Sequence, residues 1–156
     1  MSHVSIKKPH HKQEISTSCL PASVKMLLNF LGISIEEATL RNLLASNKKG
    51  TSAVNVLMLN ASIPEIKADV YQSSLTQLQN YLEAQRQPCI VGVETIHLLH
   101  WNNRGGLHAI VVHGFDDNCV FVNDPYFDDE EFRIPFQEFL LAWAQTGNVL
   151  ITIEKR

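Results

Sequence analysis

The apolar residues of this chain recur with one period in its first half and another in its second. Between residues 20 and 31 they fall at 20, 24, 27, 28 and 31, the spacing of one helix face, and Gly32 follows where a helix end favours glycine. Ser34, ahead of Glu36 and Glu37, predicts the cap of a second helix running to about Ala45. Thr51 or Ser52 predicts the cap of a third, carrying Val54, Leu57, Met58 and Ala61. Ser73 or Ser74 predicts that of a fourth, with Leu75, Leu78 and Leu82 on its apolar side. From Pro88 onward the runs are short and rich in β-branched residues. Strands are predicted over 89–93, 107–115, 119–122 and 149–153, with 66–71 a fifth candidate. Residues 135–144 predict a last helix with Pro135 in its first turn. Helices first and strands later, with hairpin-like joins, give an α+β class rather than a parallel α/β sheet.

The 156 residues suit one domain, with residues 1–9 expected as a flexible tail. Thirteen Lys and Arg against sixteen Asp and Glu leave a net charge of −3, which argues against a nucleic-acid partner. Three cysteines cannot complete a paired disulfide framework. The basic N-terminus has no apolar stretch behind it, so no secretory signal is read. No run approaches the ~18 apolar residues of a membrane span. The expected address is therefore a reducing cytoplasm, with export as an effector left open.

Cys19 stands behind Ser16, Thr17 and Ser18 at the predicted start of the first helix, with Pro21 in that helix's first turn. A thiol there meets the positive end of the helix dipole, which favours the nucleophilic thiolate. A nucleophilic cysteine needs a base and a group to orient it. His108 begins one predicted strand and Asp124 ends the next, with Asp116-Asp-Asn118 as the turn between. A three-residue loop would pair Phe115 with Cys119 and set Asp124 opposite Ile110, on the face that carries His108. A two-residue loop would pair Asp116 with Cys119 and send Asp124 to the other face, so a partnership of His108 with Asp124 requires the odd-length loop. Gln13, six residues before Cys19, supplies a side-chain amide able to meet an oxyanion, together with the Cys19 backbone N–H.

Gln13, then Cys19-Leu-Pro-Ala-Ser23, then Leu107-His108-Ala-Ile-Val-Val112, then Val122-Asn-Asp124-Pro125 resembles papain-like cysteine peptidases in order and spacing. Within them the pattern is most similar to the bacteriocin-processing, double-glycine leader peptidases and their stand-alone relatives, over about residues 10 to 155. The resemblance implies Cys19 as nucleophile, His108 as general base, Asp124 as its orienting residue and Gln13 as oxyanion donor. It implies a helical half packed on an antiparallel sheet, with the site in the cleft between them. The expected reaction is cleavage of a peptide or amide bond through an acyl-enzyme. No cofactor and no metal are expected, and the partner is a peptide or protein substrate. A transporter or secretion system as further partner stays open. Two alternatives use the same residues: a deamidase or transamidase toxin, and an inactive module that binds a leader peptide or protein. The sequence departs from the family at Leu20, where glycine is usual and where bulk would narrow the cleft. It also lacks the transporter fused to the best-known members.

Other features carry less. His10, His11, His97, His100 and His113 lack the spacing of a metal site. His113 is expected to point away from His108 in a regular strand. Residues 97–106 read as a mobile loop leading into the strand of His108, either bordering the cleft and contributing to substrate selection or a simple surface loop. The acidic run 128–131 reads as a solvated turn. Cys89 and Cys119 read as inert core residues, and Phe136, Phe139, Leu140 and Trp143 as core at helical spacing.

Overall fold

The computed structural model describes residues 3–7, 10–129 and 131–156. Among these residues seven antiparallel strands form one sheet: β1 (Val4–Ser5), β2 (Ile66–Gln72), β3 (Cys89–Glu94), β4 (Leu107–Phe115), β5 (Cys119–Asn123), β6 (Glu131–Pro135) and β7 (Val149–Lys155). Their order is β2-β7-β3-β4-β5-β6, and β1 lies against the far end of β4. The helices are α1 (Cys19–Phe30), α2 (Glu37–Leu43), α3 (Leu59–Ser62), α4 (Leu75–Gln85) and α5 (Phe136–Ala144).

The central strands are apolar on both sides because both faces are covered. Ile90, Val111 and Ile151 pack with Leu20, Val24 and Leu27 of α1 on one face. Val91, Ile110 and Val112 pack on the other with Leu82 of α4 and with Phe139 and Trp143 of α5. The α+β reading holds, with helices also on the second face.

Several local expectations are corrected. Ser34 does not cap α2, which begins at Glu37 behind Glu36. The stretch before it stays irregular, and the Ile35 carbonyl accepts from Lys25 Nζ at 2.6 Å. The third helix is a 3-10 turn over Ala53–Met58 running into α3, and it shows the opposite face. Val54, Leu57 and Met58 are exposed while Val56 and Leu59 enter the core. Ser74 does cap α4, accepting from the Gln77 N–H at 3.1 Å. Pro135 closes β6 rather than opening α5, on which Leu140 and Leu141 are exposed. The acidic run reads only as a turn in sequence, but β6 begins at Glu131; Glu130 lies outside the described residues.

The first residues also differ from a flexible tail. Val4 pairs with Phe115 and Ser5 with Gly114, and Val4 and Ile6 are buried. Met1, Ser2, Lys8 and Pro9 lie outside the described residues. Among the described residues no helix is long and apolar enough to cross a membrane.

Candidate active site

Cys19 is the first residue of α1. Ser18, wholly buried, does not cap the helix. Its hydroxyl donates to the Ile15 carbonyl at 3.0 Å and accepts from the Ile15 N–H at 3.2 Å, which fixes the turn that delivers Cys19. The thiol hydrogen-bonds the His108 ring and receives the backbone N–H of Ala109 and Leu20.

The register of β4 and β5 is the corrected point. The Asp116 N–H donates to the Cys119 carbonyl at 3.0 Å and Phe115 pairs with Val120, so the loop is the even-length one. In regular strands that loop would carry Asp124 away from His108. A β-bulge intervenes: Gly114 pairs with Phe121 but Val112 pairs with Val122, leaving His113 as an extra residue in β4. Beyond it Val111 faces Asn123, the register that the odd loop would have given. The core shows the same shift, since Ile110, Val112 and then Phe115 share one cluster. The bulge therefore returns Asp124 to the face of His108.

Asp124 is wholly buried and receives four hydrogen bonds. Oδ1 accepts from His108 Nε2 at 2.6 Å and from the Tyr126 N–H at 3.0 Å. Oδ2 accepts from His100 Nε2 at 2.9 Å and Trp101 Nε1 at 2.8 Å. Burial alone would raise this carboxyl, but the two imidazoles and the backbone N–H hold it well below the usual carboxylate range. An ionised carboxylate only accepts, so both histidines carry hydrogen on Nε2. Nδ1 of His108 is thereby left for Cys19. Burial works against a charged imidazole, yet Asp124 and Cys19 push His108 up to about 9. Burial likewise raises Cys19, but the His108 hydrogen bond and charge, with the two backbone N–H groups, hold the thiol below its ordinary value.

His100 and Trp101 belong to the segment read as a mobile loop. It is instead two short 3-10 turns, Thr95–His97 and Leu99–Trp101. The Gly106 N–H donates to Glu94 Oε2 at 2.6 Å and Thr95 Oγ1 to the Arg104 carbonyl at 2.7 Å, closing the segment on itself. Neither residue had a sequence signal beyond its type, because their link to Asp124 spans more than twenty positions.

Gln13 lies on a strap pinned at each residue from 10 to 14. His10 bonds the Phe127 carbonyl at 3.0 Å and Asn123 Nδ2 at 2.7 Å. His11 Nε2 meets Glu37 Oε1 at 3.1 Å, Lys12 meets Asp128 at 3.1 Å, and the Gln13 N–H donates to the Pro125 carbonyl at 2.7 Å. The Glu14 N–H reaches Glu37 Oε1 at 3.1 Å. Glu37, a wholly buried carboxylate that also pairs with Arg41, anchors the strap to α2. The Gln13 side-chain amide donates to the Ile15 carbonyl at 2.9 Å, while its Oε1 is buried with no hydrogen-bond partner.

The Peptidase_C39 like family matches residues 5–151. The chain belongs to this family. Its fold is similar to that of a C39-like peptidase from Bacillus anthracis, at 20% identity, 100% of this chain, 99% of that one and a TM-score of 0.78. It is similar to the peptidase domain of Streptococcus ComA, a bi-functional ABC transporter involved in quorum sensing, at 23% identity, 94% and 97% coverage and a TM-score of 0.75. A double-glycine motif protease from the AMS/PCAT transporter, solved with its leader peptide, gives 20% identity, 98% and 95% coverage and a TM-score of 0.73. No curated protein matches the sequence.

Within this C39-like fold a groove of about 740 Å³ opens beside the thiol. Its lining includes Thr17, Cys19, Lys49, His108, Gln145 and Thr146. Leu20, the residue after the thiol, is 4% exposed and packs among Val24, Ile90 and Ala109. Its bulk is shared between the core beneath and the groove, which it also lines. Cys89 is buried with its thiol raised by burial, as an inert core residue should be; Cys119 is only half-buried. Among the described residues no group of three or more His, Cys, Asp or Glu side chains is placed to hold a metal ion.

Proposed function

We propose that this C39-like chain is a cysteine peptidase with Cys19 as nucleophile, His108 as general base and acid, Asp124 as the residue that orients the imidazole, and Gln13 as an oxyanion donor. The observation that carries the reading is the two-sided engagement of His108, whose Nε2 is held by a buried carboxylate while its ring also meets the Cys19 thiol. Cys19 passes its proton to Nδ1, and the thiolate attacks the substrate carbonyl. The second hydrogen of the Gln13 amide and the Cys19 backbone N–H meet the oxyanion. His108 returns the proton to the leaving amine. It then takes one from water, which attacks the acyl-enzyme and releases the acid and the free thiol.

The substrate is an extended peptide segment laid in the groove beside Cys19, in keeping with the leader peptide bound by the AMS/PCAT protease. Digestion of a peptide library with the wild type and with Cys19→Ala, side by side, tests both points. Cleavage by the first and none by the second supports the reading and gives the specificity. Equal patterns, or no cleavage by either, sink it.

A further inference from the structure

Asp124 serves two histidines, and the triad accounts for only one of them. His100 Nε2 lies 2.9 Å from Oδ2, on the carboxylate edge opposite His108. The His100 ring is held in place: it stacks on Phe132 with centroids 4.1 Å apart and an interplanar angle of 17°, and it lies 5.2 Å from Phe127. Its side chain is 13% exposed. Such a site is built around a fixed ring, not a surface histidine that happens to touch an acid.

We propose that His100 is a positioning residue that acts on His108 through Asp124, keeping the His108 imidazolium acidic enough to protonate a leaving amine. This rests on the peptidase reading above. A carboxylate has room for about four hydrogen bonds, and here all four are filled. Each donor draws charge from the carboxylate, so each weakens its pull on the His108 proton. Removing His100 leaves Trp101 Nε1 and the Tyr126 N–H, one on each oxygen. Asp124 therefore keeps its place but becomes a stronger acceptor for His108.

The other groups near this pair are few. Cys19 faces His108 from α1. Arg104 lies outside, its guanidinium over the Trp101 ring at 5.0 Å and the Tyr126 ring at 5.3 Å. His10 bonds Asn123 and the Phe127 carbonyl and makes no bond to Asp124. His100 is thus the one titratable group besides His108 that bonds the carboxylate directly, among the described residues.

The test compares the wild type with His100→Phe, which keeps a ring for the Phe132 stack and loses the donor, and with His100→Gln, whose amide restores a donor near Nε2. Imidazole NMR follows the His108 titration, and iodoacetamide follows the reactivity of Cys19. With Phe the His108 titration moves up by about half a pH unit, and with Gln it returns to near the wild-type position. An unmoved or lowered titration in the Phe variant overturns the proposal, since a merely structural role would lower the active fraction without moving the midpoint upward. If Phe does not fold, the native protein decides through its nitrogen shifts. His100 as the Nε2–H tautomer supports the proposal, and the Nδ1–H tautomer overturns it. Failure of the peptidase reading shows separately, as wild-type Cys19 alkylating no faster than Cys89 or Cys119.

Discussion

The two ends of β4 each carry a buried histidine beside an acid, and they behave as different devices. At one end His108 sits 2.6 Å from Asp124, whose side chain is wholly buried and filled with donors. At the other, His113 sits 3.5 Å from Glu131, whose side chain is 31% exposed and also pairs with Arg133 at 3.0 Å. Water can screen the second acid but not the first, so the same residue types give a poised imidazole at one end and a structural contact at the other. The His113 end has its own task. Its bulge sets the register that brings Asp124 to His108, and its backbone carbonyl accepts the Ile6 N–H at 2.9 Å, which fastens the N-terminal strand. One end performs chemistry in the proposed reading, and the other aligns it.

The largest effect is expected at the His108 end. In His108→Ala the thiol loses its partner and returns towards an ordinary cysteine, so alkylation of Cys19 by iodoacetamide at pH 6 falls by about a hundredfold or more. Cys89, buried in the same molecule, reports any unfolding in the same sample. In the proposed reading, wild-type peptidase activity should rise as Cys19 becomes thiolate and fall as pH climbs through about 9, where His108 gives up its proton. Stability has the matching sign. The raised His108 contributes fully below its unfolded value of ~6.5 and loses that contribution as pH rises through about 9. The depressed Asp124 contributes above ~3.9 and loses it as pH falls. Alkylation that is unchanged in His108→Ala would break the contrast between the two ends.

The next effect in size belongs to the other end. A Cβ on Gly114 would lie 2.2 Å from the Val4 carbonyl oxygen and 2.8 Å from the Phe121 ring. Backbone cannot yield there without moving β1, so Gly114→Ala should cost about 1–3 kcal/mol and strip the protection of the Ile6 amide in hydrogen exchange. Cys19 alkylation should stay at the wild-type rate, because β3 continues to hold β4 through Val112. A variant that kept its stability and lost the Cys19 rate instead would show that the two ends are not separable.

The period change at the middle of the chain was enough to read the fold class, because helix and strand spacing depend on local residues alone. Cys19 and His108 stood out for a related reason, each at the end of an element whose pattern is clear, whereas the route to Asp124 rested on an odd loop that the protein does not have. The even loop and the bulge were not legible, since a one-residue slip at His113 leaves no mark in an apolar run that is buried on both faces. The strap showed Gln13 but hid Glu37, whose position in a first helical turn reads as surface while its carboxylate is buried under His11, Glu14 and Arg41. His100 and His10 stayed invisible because what they hold, Asp124 and the turn after it, lies more than twenty residues away. Three further histidines thus have work: His100 on the Asp124 carboxylate, His10 and His11 on the strap.

The smallest effect is expected from Glu131→Gln. The amide keeps the length of the side chain and an acceptor for His113 and for Arg133 Nε, and removes only the charge. At a part-exposed site that charge is worth little, so the unfolding free energy from urea titration should change by less than about 0.5 kcal/mol, with no change in Cys19 alkylation. The comparison with Asp124 then becomes quantitative, because both acids face a buried histidine of the same strand and differ in their own burial. A loss of about 2 kcal/mol or more from Glu131→Gln would mean that water does not screen the far pair. The difference between the ends would then rest on the thiol alone, and not on the buried carboxylate.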